Sequence, residues 1–352
     1  MQLTRELRLI LVCARNGSDE KKQAAVELLL ADGIDWTRFA EIAVAQGLTG
    51  FTANVLIRLA AHNIPADILG AFHAIVDDIG RGNRALFNEL CRVLETLKRN
   101  GIEAIPFKGP VLAIRAYGAL GLRQFGDLDF LVRDEDLGRA ITALDGIGYK
   151  RTGELAADQF ALIHHIQGQE IIFGQASGIA VEPHTRLISS KMALDIDYDG
   201  LWCRARRSRL DGYEFLMFAP EDDLLLLAIH GGKEMWWKLK WAHDFAAFIG
   251  SHPDLDWSAV VVRARAQGCL RMLLLATALA RRYFGAAVPD AITAAEISDR
   301  AIDPMLRRVV ERWQANGPGG SPDNKSISLE RLRLHDGIVR QARYVARTML
   351  LP

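Results

Sequence analysis

Residues 125–132 read FGDLDFLV, a run suited to burial except for two aspartates one residue apart. In an extended chain Asp127 and Asp129 project from one face, and Leu128, Phe130 and Val132 from the other. The apolar face can be buried against helices. The other must then carry two carboxylates a few ångströms apart, a repulsion that is relieved by protonating one acid or placing a cation between them. A hard divalent ion with oxygen ligands meets that need. A lone Asp-x-Asp also fits a strand end whose acids face water, so the flanking residues must decide.

Upstream lies Phe107-Lys108-Gly109-Pro110, a turn between an apolar run (IEAIPF, 102–107) and a short helical pattern (PVLAIRAYG, 110–118). Pro110 suits the first helical position. Gly109 allows close approach of the backbone to a ligand, and a helix start offers free N–H groups to a phosphate. Lys108 adds a charge beside them, and Arg123 lies on the connection to Asp127. A third acid is then expected on a neighbouring strand. Glu182 in AVEPHT alternates with Val181 and Pro183 and shares its face with Ala180 and His184. Pro183 holds Glu182 extended and marks an edge or a strand end.

The rest of the chain frames this centre. Residues 1–100 read as helices; in RALFNELCRVLETLKRNG one face carries Leu86, Leu90, Val93, Leu94 and Leu97, with Gly101 as the stop. Residues 101–215 are a small α/β unit, with strands expected at 102–107, 128–132, 169–173 and 178–185. A helix is expected in DEDLGRAITALDGIG, with Asp134 as N-cap and Leu137, Ile141 and Leu144 inward. Residues 216–352 return to helix. APEDDLLLLAIHGG opens one with Pro220 and three acids in the first turn, where the dipole favours them. HGGKEMWWKLKWAHD, read as helix, puts Lys233 and Trp237 on nearly one face, as it does Lys240 and Asp244. NGPGGSPDNKS (316–326) is the expected flexible link. The fold class is thus α+β, with helical regions flanking a small mixed sheet.

At 352 residues two or three packed units are expected. Lys+Arg and Asp+Glu number 43 each, which argues against long nucleic acid as a partner. The four cysteines show no metal-like or redox-pair spacing. The opening residues lack the apolar core and cleavage site of a signal peptide, and no apolar run approaches a membrane span. A cytoplasmic protein with no membrane partner is expected. RARRSR (204–209) reads as a solvent-facing strand, and His164 and His165 as structural residues.

The combination of Lys-Gly, Asp-x-Asp and a later acid resembles the DNA polymerase β-like nucleotidyltransferase superfamily. More narrowly, residues 90–250 resemble an uncharacterised nucleotidyltransferase family found in bacteria, through FKGPVLAIRAYG, LRQFGDLDFLV, VEPHTRL and LLLLAIHGGKEMWWKLKWAHD. The resemblance implies transfer of an NMP from an NTP to a hydroxyl acceptor, a small molecule, peptide or protein, with release of pyrophosphate. It implies a nucleotidyltransferase core in which Asp127, Asp129 and Glu182 bind Mg²⁺, or Mn²⁺, as metal ligands and catalytic residues. Glu182 is also a candidate general base. Lys108, Gly109, Arg123, Lys233 and Lys240 would bind the nucleotide, with His230 a further candidate to reach a phosphate or the acceptor. The sequence departs from the superfamily where Gly109 is followed by Pro110, which removes one N–H and a hydroxyl from the phosphate grip. That leaves a second reading, a nucleotide- or partner-binding protein without turnover. A third, a nucleotide-sugar glycosyltransferase, needs a longer α/β region before Asp127 than the helical residues 1–100 provide.

Overall fold

Five helices precede the first strand: α1 (Arg5–Ala14), α2 (Asp19–Ala31), α3 (Trp36–Gln46), α4 (Thr49–Ala60) and α5 (Ala66–Arg99). The computed structural model describes residues 3–151, 173–174, 178–315 and 330–350. All but Phe173 of the strand expected at 169–173, the link at 316–326, and His164 and His165 lie outside them. α5 has 34 residues, a rod of about 50 Å. Its early turns bury Phe72 among the N-terminal helices, and its late turns carry Phe87, Leu90, Val93 and Leu97 under the sheet. Asn100 caps it and Gly101, at φ 67°, turns the chain away, as the sequence indicated.

The sheet is built on β1 (Ile105–Phe107), β2 (Asp127–Leu131) and β5 (Ala180–His184), extended by the two-residue strands β4 (Phe173–Gly174) and β3 (Lys150–Arg151). The order is β1-β2-β5-β4-β3. β2 and β5 are parallel, and the other neighbours are antiparallel. Asp127 pairs with Ala180, Asp129 with Glu182 and Leu131 with His184. Pro183 sits opposite Phe130, one residue before the end of β5 and past the two residues that pair with β4. Its missing N–H therefore costs no ladder bond to β4.

The two sheet faces divide the chemistry. Leu128, Phe130 and Val181 face a core closed by α5 and by α7 (Leu137–Asp145). On the opposite face Ile105, Phe107 and Leu131 pack against Leu201, Ala205 and Phe218. These come from α8 (Tyr198–Arg204) and the stretch after it, where β6 (Arg206–Leu210) and β7 (Tyr213–Met217) form a hairpin. Asp211 and Gly212 turn that hairpin at φ 49° and 85°. β6 is exposed over Arg206–Arg209, the solvent-facing strand expected from RARRSR. Asp134 does not cap α7; it opens a 3₁₀ turn, and α7 begins three residues later.

The helices that follow are α9 (Pro220–Lys233), α10 (Leu239–Ser251), α11 (Trp257–Gln267), α12 (Leu270–Phe284), α13 (Asp290–Ser298), α14 (Ile302–Ala315) and α15 (Gly337–Leu350). They share one hydrophobic core with α1–α4, running from Leu7 and Phe39 to Phe245, Leu275 and Trp313. The first and last thirds of the chain thus form one helical body on which the sheet unit sits. No helix among the described residues is long and apolar enough to cross a membrane.

HGGKEMWWKLKWAHD is not one helix. α9 stops at Lys233, Met235 and Trp236 adopt left-handed φ of 54° and 53°, and α10 starts at Leu239. The Trp236 N–H donates to the Gly231 carbonyl at 2.8 Å, and its ring covers Gly231, where a Cβ would stand 2.3 Å away. A buried indole folded over a glycine overrides helical periodicity, so the expected facing of Lys233 and Trp237 does not hold.

Candidate active site

Alternation along β2 and β5, with Asp129 and Glu182 in register, brings Asp129, Glu182 and His184 to one face. Their relative exposures are 3 %, 8 % and 2 %. Each offers one ligand atom, and the three atoms lie within 4.8 Å of one another. His184 Nε2 is 2.9 Å from Asp129 Oδ1 and 3.7 Å from Glu182 Oε2. Lys108 Nζ stands 3.9 Å from the same Asp129 oxygen. Asp127 stands two residues earlier on this face, solvent-accessible at the start of β2.

The charges follow from these neighbours. Burial pushes Asp129 toward its neutral form, but Lys108 and His184 outweigh it and hold its pKa below the ordinary carboxylate value. Burial likewise disfavours the charged His184, yet its contacts with Asp129 and Glu182 raise its pKa. Asp127 is raised, first by lost hydration and then by the charge of Asp129. His184 and Lys108 thus stand where two buried carboxylates call for positive charge. A divalent cation could take that place: the carboxylates are hard oxygen donors, and an imidazole beside them suits Mn²⁺-like ions better than Mg²⁺. The buried donor set therefore fits a divalent metal.

The turn before α6 (Gly109–Tyr117) brings its own constraint. Lys108 has φ 54° and Gly109 φ 39°, and a Cβ on Gly109 would lie 3.3 Å from the Asp127 carbonyl oxygen. A glycine is needed where the turn presses on β2. The left-handed Lys108, strained for a residue with a side chain, carries its amine over the Phe107 ring and toward Asp129.

The remaining cations approach from the helical body. Burial lowers the pKa of His230 well below its ordinary value, and the charges of Lys108, Lys233, Arg123 and Lys240 add to the effect. Lys240 donates to the Gln124 carbonyl at 3.2 Å, and burial, then Arg123, push its pKa down to about 8. Lys233 lies 3.7 Å from Glu234. Arg123 is buried, and its Nε and Nη2 grip Asp244 at 2.9 and 3.0 Å. Asn83 of α5 holds the same loop through the carbonyls of Leu120 and Arg123, at 2.6 and 2.7 Å.

Three participants were not among the site residues expected from the sequence. His184 could have been, because Glu-x-His alternates as Asp-x-Asp does. Tyr117 and Asn83 left no local signal: both act on residues far along the chain. The Tyr117 hydroxyl donates to Asp244 Oδ1 at 2.7 Å and so accepts from His243 Nδ1–H at 3.1 Å. The family model of an uncharacterised nucleotidyltransferase matches residues 32–285. No curated protein matches the chain.

Proposed function

Because the chain belongs to an uncharacterised nucleotidyltransferase family, we propose that it moves an NMP from a nucleoside triphosphate to the hydroxyl of an acceptor, with pyrophosphate leaving. The observation that carries this reading is the in-register pair Asp129 and Glu182, buried with His184 beside them. The order of the acids, Asp-x-Asp on one strand and Glu182 on its parallel neighbour, supports a reading as a relative of the DNA polymerase β-like superfamily. Asp127, Asp129 and Glu182 would hold Mg²⁺ or Mn²⁺, which when bound supplies Lewis-acid stabilisation of the entering and leaving oxygens.

The chain's own groups do the rest. Lys108, Lys233 and Lys240 accept the triphosphate, aided by the Gly109 amide at the start of α6. Arg123, gripped by Asp244, adds its field from the loop before β2 rather than swinging free. Glu182 takes the acceptor proton, and His184 holds the Asp129 carboxylate in place. Pro110 has no N–H to give, so more of the phosphate grip falls to Lys108.

The test is pyrophosphate release from ATP, GTP, CTP or UTP with Mg²⁺ or Mn²⁺ over a panel of hydroxyl acceptors. Asp129→Asn and Glu182→Gln should each lower it by at least about a hundredfold. Calorimetric nucleotide binding without release by the wild type, over the whole panel, would favour the non-catalytic reading that Pro110 supports. Release that survives in Glu182→Gln would remove the proposed site.

A further inference from the structure

A cleft of about 840 Å³ opens at the C-terminal end of α6. It lies about 12 Å along that helix from Gly109, at 1.5 Å per residue. Arg15 and Asn16, in the turn after α1, and Lys22, in the first turn of α2, form one wall, and α10 forms another. Phe51, Tyr117 and His243 make an aromatic face: the Phe51 ring is 4.3 Å from that of His243 and 5.8 Å from that of Tyr117. The volume is in the range of small-molecule sites.

The charge of this cleft is one-sided. Arg15, Lys22 and Arg115 are among the described residues that line it, and no Asp or Glu is. The carboxylates nearby are already engaged. Asp223 pairs with Arg115, Asp19 with Arg58 and Asp244 with Arg123, while Glu221 accepts the Asp256 N–H at 3.2 Å. Arg115 is therefore neutralised, and Arg15 and Lys22 are left. Among the described residues neither side chain makes a hydrogen bond or an ion pair. Burial lowers the pKa of Lys22, and the charge of Asp19, itself paired with Arg58, offsets only part of that loss. A half-buried lysine and an exposed arginine, neither in an ion pair among the described residues, beside an aromatic wall suit an anion with a flat or apolar body.

We propose that this cleft is a second binding site, for a small molecule bearing one carboxylate or phosphate on an aromatic or apolar frame. The anionic group meets Lys22 and Arg15, and the frame lies against Phe51, Tyr117 and His243. Tyr117 and His243 belong to the hydrogen-bonded set that ends at Asp244 and Arg123, so an occupant here touches residues tied to the loop before Asp127.

Calorimetry on the full chain, at low salt and without nucleotide or divalent ion, tests this with phenyl phosphate and benzoate. Benzyl alcohol serves as the uncharged control. One saturable site is expected for at least one anion and none for the alcohol; the tighter anion identifies the head group. The double substitution Lys22→Gln with Arg15→Gln should weaken binding at least tenfold, with an unchanged melting curve. Lys108→Gln should leave it unaltered. The proposal falls if neither anion saturates, if the double substitution changes nothing, or if Lys108→Gln abolishes binding, which would put the anion among the catalytic cations.

Discussion

Arg123 and Asp244 show how a charge apt for a ligand can serve a structural purpose as well. Their guanidinium and carboxylate meet through two hydrogen bonds, with the residues 9 % and 2 % exposed, and Tyr117 adds a third bond to the same carboxylate. Removing one partner leaves the other charged and dry. Asp244→Ala should therefore cost about 3–5 kcal/mol in urea unfolding. Tyr117→Phe removes one hydrogen bond to a charged group and should cost about 1.5–3 kcal/mol. If the Arg123 grip also sets the loop before Asp127, Tyr117→Phe should lower the turnover number more than it raises KM. At this scale the sequence was legible wherever the chemistry is periodic. Asp127, Asp129 and Glu182 could be assigned to one face by counting residues. The partner of Arg123 lies 121 residues away, and no spacing rule reaches that far.

Elements repeat the lesson with backbone instead of side chains. The start of α9 was readable from Pro220 and its acids, but the acids do more than answer a helix dipole. Asp222 accepts from Arg204 at 2.8 and 3.1 Å and from Arg263 at 3.0 Å, and Asp223 pairs with Arg115. The end of α9 was not readable. Helix-compatible residues continue to Asp244, yet the chain breaks at Met235 and Trp236 because the indole can lie over Gly231. α14 secures the break: Trp313 Nε1 donates to the Trp236 carbonyl at 2.7 Å and Arg312 to that of Met235 at 3.0 Å. Gly231→Ala would thrust a methyl into a fully buried ring, and should cost about 1–3 kcal/mol. A lowered melting temperature with a changed tryptophan emission would report it. An unaltered melt would mean that Trp236 moves aside at no cost.

Across the whole molecule, the buried histidines set a pH dependence. Burial pushes the pKa of His243 and that of His335 down to about 4. A pKa lower in the folded state than the unfolded value of about 6.5 means that folding favours the neutral form. Their stabilisation is then complete above the unfolded value and is lost as pH falls toward 4. For His243 the loss is on the order of 3 kcal/mol. His184 works the other way, since its raised pKa stabilises the fold on the acid side. The depressed histidines, His230 and His252 as well as His243 and His335, outnumber His184 and predict lower stability at pH 5 than at pH 7 in urea titrations, and His243→Gln should flatten that slope. What the sequence determined alone is local: the alternation that puts acids on one face, the glycine where a turn presses on a strand, the proline that opens a helix. Each follows from the period and sterics of a few consecutive residues. Only the tertiary structure decided that the first and last thirds of the chain share a core, with Gln46 of α3 accepting the Leu239 N–H at the head of α10 at 2.7 Å. It alone chose His184, Asp244 and Lys22 for their settings, because burial and pairing depend on which distant surfaces meet, and that is a property of packing rather than of order along the chain.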